Sequence, residues 1–189
     1  GAVAGMVPYS DKVRPESRSV LEHLHALGVK NKVMLTGDNA TVARAVGERI
    51  GLTRFFADML PADKSAVIQE LQRAGQVVAM VGDGINDSPA LSYADVGIAM
   101  KHGAEVAHET AHIVLMEDSL WKLVKAVEIS QDTIRLIKQN YAIVAGMNTL
   151  ALALALPGGL ISPTTTALIS NGSAILATLN GLRPILLDR

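Results

Sequence analysis

Residues 139–182, 44 in succession, contain no Lys, Arg, Asp, Glu or His. A charge at the centre of a bilayer costs roughly 2.5 to 3.5 kcal/mol on insertion scales, so a run of this length without one is the pattern of lipid-embedded chain. The run divides at Pro157-Gly158-Gly159 into residues 139–156 and 160–182, 18 and 23 residues long. As helices these measure roughly 27 Å and 34 Å, against a hydrocarbon core of about 30 Å. The first segment is strongly apolar, whereas the second carries Thr164, Thr165, Thr166, Ser170, Asn171, Ser173 and Asn180. A helix that polar is expected to face protein, not lipid. A buried helical hairpin in a soluble core is the alternative. Arg135 and Lys138 precede the run, and Arg183 and Arg189 follow it. If the hairpin spans a membrane, both its outer ends are cytoplasmic and the Pro-Gly-Gly turn lies outside.

The remainder alternates short apolar runs with amphipathic stretches. Strands are expected at residues 3–7, 32–35, 55–58, 77–81, 96–99 and 113–115, and helices at 15–27, 40–50 and 61–74. The all-apolar run 77–81 reads as a strand buried on both faces. A long helix is expected from about Ser119 to Asn140, running into the first apolar segment. Strands alternating with helices define an α/β fold built on a mostly parallel sheet. The organisation expected is therefore one domain over residues 1–138, a hairpin over 139–182 and a short tail over 183–189.

Composition narrows the function classes. With 17 Lys+Arg against 18 Asp+Glu, no field of one sign exists to attract nucleic acid. Hydrophobic residues make up 49% of the chain, which excludes disorder. The absence of cysteine removes disulfides, thiolate metal sites and a Cys nucleophile.

Chemistry in a parallel α/β sheet belongs at the carboxyl ends of the strands. Two polar clusters fall there: Thr36-Gly37-Asp38-Asn39, and Gly82-Asp83-Gly84-Ile85-Asn86-Asp87. Glycines admit close backbone approach, helix N-termini offer free N–H groups to an anion, and two carboxylates four residues apart can hold a hard cation through oxygen. That is the equipment of a Mg²⁺ and phosphate site, and Lys64 can add a positive charge beside the phosphoryl group. For Thr36-Gly37-Asp38 alone the plainer reading is a strand-to-helix turn with an Asp cap. A cap and a turn explain Asp87 and Pro89 in the second cluster, but not Asp83.

These two segments, together with Pro61-Ala62-Asp63-Lys64 between them and Ser88-Pro89-Ala90-Leu91 after them, resemble the phosphorylation domain of P-type ATPases, a branch of the haloacid dehalogenase superfamily. The likeness extends from Asp11-Lys12-Val13-Arg14-Pro15 to Leu179-Asn180-Gly181-Leu182-Arg183. With only two apolar segments after the domain, the chain is most similar to the heavy-metal-transporting branch. The resemblance implies a haloacid dehalogenase-like Rossmannoid sheet and aspartyl-phosphate chemistry with ATP and Mg²⁺, coupled to movement of a heavy-metal cation across the plasma (inner) membrane, with residues 1–138 and the C-terminus cytoplasmic. It implies that Asp83 ligates Mg²⁺, with Asp87 as a second ligand or its orienter and Asn86 hydrogen-bonding nearby. Thr36 and the Gly37 backbone hold phosphoryl oxygens, Asp38 positions that loop, and Lys64 neutralises developing charge.

The nucleophilic segment of such pumps, Asp-Lys-Thr-Gly-Thr, is absent; Asp11-Lys12 is followed by Val13-Arg14-Pro15. The chain also lacks a nucleotide-binding domain and earlier membrane helices, and begins with Gly1. It therefore reads as the carboxy-terminal portion of a longer pump, unable to complete a phosphorylation cycle by itself. The missing strand is central in that family's sheet, so apolar sheet edges are expected to be left unpaired. A membrane-tethered phosphatase of the same superfamily and a non-catalytic pump remnant are the alternatives.

Two further patterns bear on metals. His108-Glu109-Thr110-Ala111-His112 fits H-E-x-x-H, a zinc-hydrolase signature when helical. It runs directly into the apolar Ile113-Val114-Leu115 and reads instead as a helix-to-strand junction. His23, His25 and His102 read as solvated surface residues. In the apolar run, Met147, Asn148, Ser170, Asn171 and Ser173 are candidates for the ion path or for helix-to-helix hydrogen bonding. Their oxygen and amide donors favour a divalent ion over a soft monovalent one.

Overall fold

The computed structural model describes residues 12–156 and 160–184. The strand expected at 3–7, together with Asp11, Pro157-Gly158-Gly159 and Arg189, lies outside the described residues. The chain forms two compact units, Gly1–Val127 and Glu128–Arg189.

In the first unit, α1 (Ser17–Ala26) leads to β1 (Met34–Leu35), and α2 (Ala40–Ile50) to β2 (Phe55–Phe56). These are followed by α3 (Pro61–Arg73), β3 (Ala79–Gly82), a 3₁₀ turn (Ile85–Asp87), α4 (Ser88–Tyr93), β4 (Val96–Ala99), α5 (Glu105–Thr110) and β5 (Ile113–Val114). The helix limits follow local chemistry. Asn39 Oδ1 accepts the N–H groups of Thr41 and Val42 at 3.1 and 3.0 Å, and α2 ends at Gly51 in the left-handed conformation. Pro61 opens α3, where Asp63 Oδ2 accepts the Leu60 N–H at 2.9 Å.

All strand pairs are parallel, as the alternation of elements requires, but they make two sheets: β1-β2 and β3-β4-β5. In the larger sheet the period-two alternation sorts side chains to opposite faces. Ala99 packs with Leu91 and Ala107 under α4 and α5, while its neighbours Ile98 and Met100 pack with Leu115, Leu120 and Leu123. Ile68 of α3 joins Ala90, Ala94, Val78 and Met80, and Val20 and Leu24 of α1 pack against Val124.

The run 77–81 does not form a strand buried on both faces. The strand starts two residues later, Ala79 is exposed, and Val77 is 86% exposed. Among the described residues, the strand has no neighbour on that side. Among the described residues β3 pairs only with β4 and β1 only with β2, and between them lies a cleft of about 490 Å³ lined by Val33, Leu35, Ile68, Val77, Ala79 and Met80. Among the described residues, the expected unpaired apolar edges are present.

Helix α6 (Trp121–Ala155) is continuous through the junction of the two units, and α7 (Pro163–Gly181) follows it. In the second unit, Asn180 Nδ2 donates to Asn140 Oδ1 at 2.8 Å and Ser173 Oγ approaches Asn148 Oδ1 at 3.4 Å, so α7 runs antiparallel to the facing part of α6. Ser173 and Ala151 are fully buried there. Among the described residues, no helix is long and apolar enough to cross a membrane. Lys138 and the asparagines at 140, 148, 171 and 180 interrupt the apolar windows.

Two exposed carboxylates brace the first unit. Asp118 pairs with Arg14 at 2.6 Å, which lowers the Asp118 pKa and raises that of Arg14. Asp95 Oδ2 accepts the Val78 N–H at 2.8 Å, and this bond, with help from Gln72, holds the Asp95 pKa below its ordinary 3.8. A depressed carboxylate pKa contributes stability above its unfolded value, and that stability is lost as pH falls through the folded value. Asp95→Asn is thus expected to lower the denaturant midpoint at pH 7, with the difference from the parent chain closing below about pH 4. A denaturant series across that range measures it, and a gap that persists at acid pH contradicts it.

Candidate functional site

Both polar clusters sit at carboxyl ends of parallel strands. Thr36, Gly37 and Asp38 follow β1, and Asp83 follows β3. Lys64 Nζ, in the first turn of α3 after β2, meets Asp87 Oδ1 of the second cluster at 2.6 Å. The two side chains are only 12% and 15% exposed.

The Thr36 loop is folded on itself and pinned from outside. Thr36 Oγ1 accepts the Asp38 N–H at 3.1 Å and donates to Asp38 Oδ2 at 3.0 Å. The Asp58 and Met59 N–H groups donate to the Asp38 and Thr36 carbonyls at 2.8 and 3.1 Å. The helix cap is Asn39, so the plainer reading of Asp38 as an N-cap does not hold. With capping assigned to its neighbour, the exposed Asp38 carboxylate is committed only to Thr36 among the described residues.

The second loop is held by two close approaches. A Cβ on Gly82 would lie 2.8 Å from Asp87 Cβ and 3.0 Å from its Oδ2, so only glycine lets that carboxylate lie against the strand end. A Cβ on Gly103 would lie 3.0 Å from the Asp83 carbonyl oxygen and 3.3 Å from its Cα, and the Ala104 N–H donates to that carbonyl at 2.8 Å. Residues 100–104 therefore set the Asp83 backbone, and the sequence carries no signal for this beyond a lone glycine. Asp83 and Asn86 are exposed, whereas Asp87 is half-buried.

The donor chemistry suits a hard cation. Asp83 presents an exposed carboxylate, while Asp87 Oδ1 is occupied by Lys64, which makes Asp87 better placed to orient than to ligate. Among the described residues no three His, Cys, Asp or Glu side chains gather as a metal cluster. Two carboxylates fit Mg²⁺, which keeps several waters and completes its shell with phosphate oxygens. Two buried hydroxyls that sequence reasoning missed, Ser65 Oγ and Ser88 Oγ, have no hydrogen-bond partner among the described residues, and each is the chain neighbour of one member of the ion pair.

In the second unit, Ser173 Oγ lies 2.7 Å from the Ser170 carbonyl and 3.4 Å from Asn148 Oδ1. Asn148, Ser170 and Ser173 are thereby brought together. Met147 is half-buried and Asn171 exposed, and no described contact draws them into that group. The Asn140–Asn180 bond was missed because Asn140 sits beside charged Lys138 at the edge of the apolar run.

The H-E-x-x-H segment is no zinc site. His108 ends up in α5, but His112 lies beyond it. His108 Nε2 donates to the Met100 carbonyl at 2.8 Å, and His112 Nδ1 accepts the Gly97 N–H at 2.9 Å, so both rings serve the backbone. His23 is exposed, yet its Nδ1 bonds the Ser19 carbonyl and its ring packs edge-on against Trp121 at 4.8 Å.

The Thr-Gly-Asp loop, the lysine and the paired-carboxylate loop thus follow parallel strands of an α/β fold. A family profile described as haloacid dehalogenase-like hydrolase matches residues 1–95. The chain belongs to that family. It is 40% identical over 186 residues to the manganese-exporting P-type ATPase of Mycobacterium tuberculosis H37Rv, a match covering 98% of this chain and 26% of that protein. It is 42% identical over 183 residues to a cadmium-transporting ATPase of Staphylococcus aureus, covering 96% and 25%. The crystal structure of a zinc-transporting PIB-type ATPase in its E2.Pi state superposes with a TM-score of 0.84 at 39% identity, covering 92% of this chain and 28% of that one. The chain thus spans about a quarter of the length of the curated relatives it matches.

Removing one member of a buried ion pair leaves the other charge uncompensated, at a cost of about 3 to 5 kcal/mol. Asp87→Ala is expected to destabilise the first unit by about that amount, and Asp87→Leu with Lys64→Met to recover most of it. Equilibrium unfolding of the three proteins tests this; equal losses in single and double variants would show that the pair is not the source.

Proposed function

We propose that this chain is the carboxy-terminal part of an ATP-driven heavy-metal cation pump. It would couple formation and hydrolysis of an aspartyl phosphate to metal movement. The observation that carries the reading is the 2.6 Å Lys64–Asp87 contact, which joins the helix after β2 to the paired-carboxylate loop after β3 across the ends of the two sheets. The 40% identity to a manganese exporter, extending over both units, supports the same reading.

In this proposal the cleft between β1 and β3 takes the strand bearing the nucleophilic aspartate, supplied by the remainder of the pump together with a nucleotide-binding domain. The Gly37 N–H and the Thr36 hydroxyl, once turned from Asp38 Oδ2, hold the transferred phosphoryl oxygens, while the Asp38 N–H keeps its bond to Thr36 Oγ1 and so fixes the loop. Lys64, oriented by Asp87, offsets the negative charge that builds up during transfer, where pre-positioned charge is the main catalytic resource. Mg²⁺, held by Asp83 with Asp87 and Asn86 behind it, supplies charge neutralisation between nucleotide and acceptor when bound.

The hairpin of α6 and α7 belongs in the bilayer as part of a larger bundle, with residues 1–138 and the C-terminus on the cytoplasmic side. Neither helix is apolar enough to cross alone, but Asn180 bonds Asn140 and Ser173 approaches Asn148, while Tyr141, Leu160 and Leu168 are 73 to 84% exposed. Polar groups turned inward and apolar groups outward is the arrangement that lipid or neighbouring helices require. Asn148, Ser170 and Ser173 contribute oxygens to the ion path, which favours a divalent cation. The continuous α6 carries the coupling, so a flexible glycine insertion near Ser130 should separate ATP hydrolysis from transport.

ATP turnover by the longer protein is expected to rise on adding the transported metal and to fall at least a hundredfold with Asp83→Ala, on the order of one lost charge-stabilising contact. Unchanged metal-stimulated turnover in that variant would overturn the assignment. Hydrolysis of small phosphate esters by these 189 residues alone would favour a tethered phosphatase instead.

A further inference from the structure

Asp58 is the one described residue other than glycine with a positive φ, at 53°. It lies in the four residues that join β2 to α3. Left-handed backbone is costly for residues with a Cβ, and Asp and Asn tolerate it best. The Asp58 side chain is exposed and has no hydrogen-bond partner among the described residues, so nothing in its own contacts accounts for the strain. The backbone does. The β1-β2 ladder ends at the pair Leu35 and Phe56, yet the bonding continues. The Thr36 N–H donates to the Phe56 carbonyl at 3.0 Å, the Asp58 N–H to the Asp38 carbonyl at 2.8 Å and the Met59 N–H to the Thr36 carbonyl at 3.1 Å. Consecutive amides at 58 and 59 both turn toward the Thr36–Asp38 loop, which a regular strand cannot arrange, because its N–H groups alternate in direction. The chain then turns straight into α3, where Asp63 caps the Leu60 N–H and Lys64 reaches Asp87.

We propose that Asp58 is a positioning residue whose left-handed backbone holds the Thr36–Asp38 loop in its phosphate-binding shape and aims the first turn of α3, with Lys64, at the same site. The role assigned to the loop rests on the proposed phosphoryl-transfer function; the positioning itself does not. The conformation, not the carboxylate, is what matters, so glycine should replace Asp58 and a β-branched residue should not.

The test compares the parent chain with Asp58→Gly and Asp58→Val by amide hydrogen exchange. It also follows the Gly37 and Asp38 amide resonances as inorganic phosphate is added with Mg²⁺. Exchange at residues 58 and 59 is expected to accelerate about tenfold or more in Asp58→Val and to stay within about twofold in Asp58→Gly, as the cost of left-handed backbone predicts. The β3-β4 amides should be protected equally in all three. The phosphate response should weaken in Asp58→Val alone. Parent-like protection in Asp58→Val, or equal loss in both variants, overturns the proposal. If Asp58→Val also loses β3-β4 protection, Asp58→Ala, with its smaller steric penalty, decides by the same criteria. A parent chain without any phosphate response counts against the proposed function, while the exchange comparison still decides the positioning role.

Discussion

The contact between Lys64 and Asp87 organises the first unit. A parallel fold has no hairpins to hold neighbouring strands in register, and among the described residues no strand pairs β1 with β3. Besides the packing of Ile68 against Ala90, Ala94 and Met80, a charge-assisted bond with little exposure to water ties α3 to the loop after β3. Gly82 permits it by leaving room for the Asp87 carboxylate, and Pro61 and Asp63 start α3 where its first turn can reach across. A buried pair is weak evidence for net stability, because desolvation offsets much of the attraction. Its value lies in specificity: it dictates which loop faces which.

The same incompleteness explains the unusual surface. Val77 and Ala79 belong to an apolar stretch and are nevertheless exposed, since their side of the sheet opens into the cleft. In the hairpin of α6 and α7, Asn140 and Asn180 bond each other while Leu150, Leu152 and Leu168 are exposed. The relatives that the chain matches are about four times as long.

Much of this was legible in the residues. The 3.6-residue and two-residue periodicities located the helices and strands, and the glycine-flanked carboxylates marked the strand ends where chemistry collects. Other features were not legible, for identifiable reasons. Residues 77–81 read as a doubly buried strand because apolar composition reports the environment a strand is suited to, not whether its neighbour is present. Asp38 read as a cap because Asp and Asn compete for that position, and only geometry shows that Asn39 takes it. The bracing by residues 58–59 and 100–104 runs through backbone amides and carbonyls, which every residue type carries, so no side-chain pattern announces it.

The most direct test of the proposed function is reconstitution. Co-expression of this chain with a separate polypeptide supplying the Asp-Lys-Thr-Gly-Thr strand and the nucleotide-binding domain should yield, on adding labelled ATP, Mg²⁺ and the transported metal, an acid-stable phosphoprotein that hydroxylamine cleaves. Hydroxylamine sensitivity reports an acyl phosphate on a carboxylate. A labelled, hydroxylamine-sensitive band that requires both polypeptides is the expected result. Stable assembly of the two without any phosphoprotein would contradict the assignment of this site to aspartyl-phosphate chemistry.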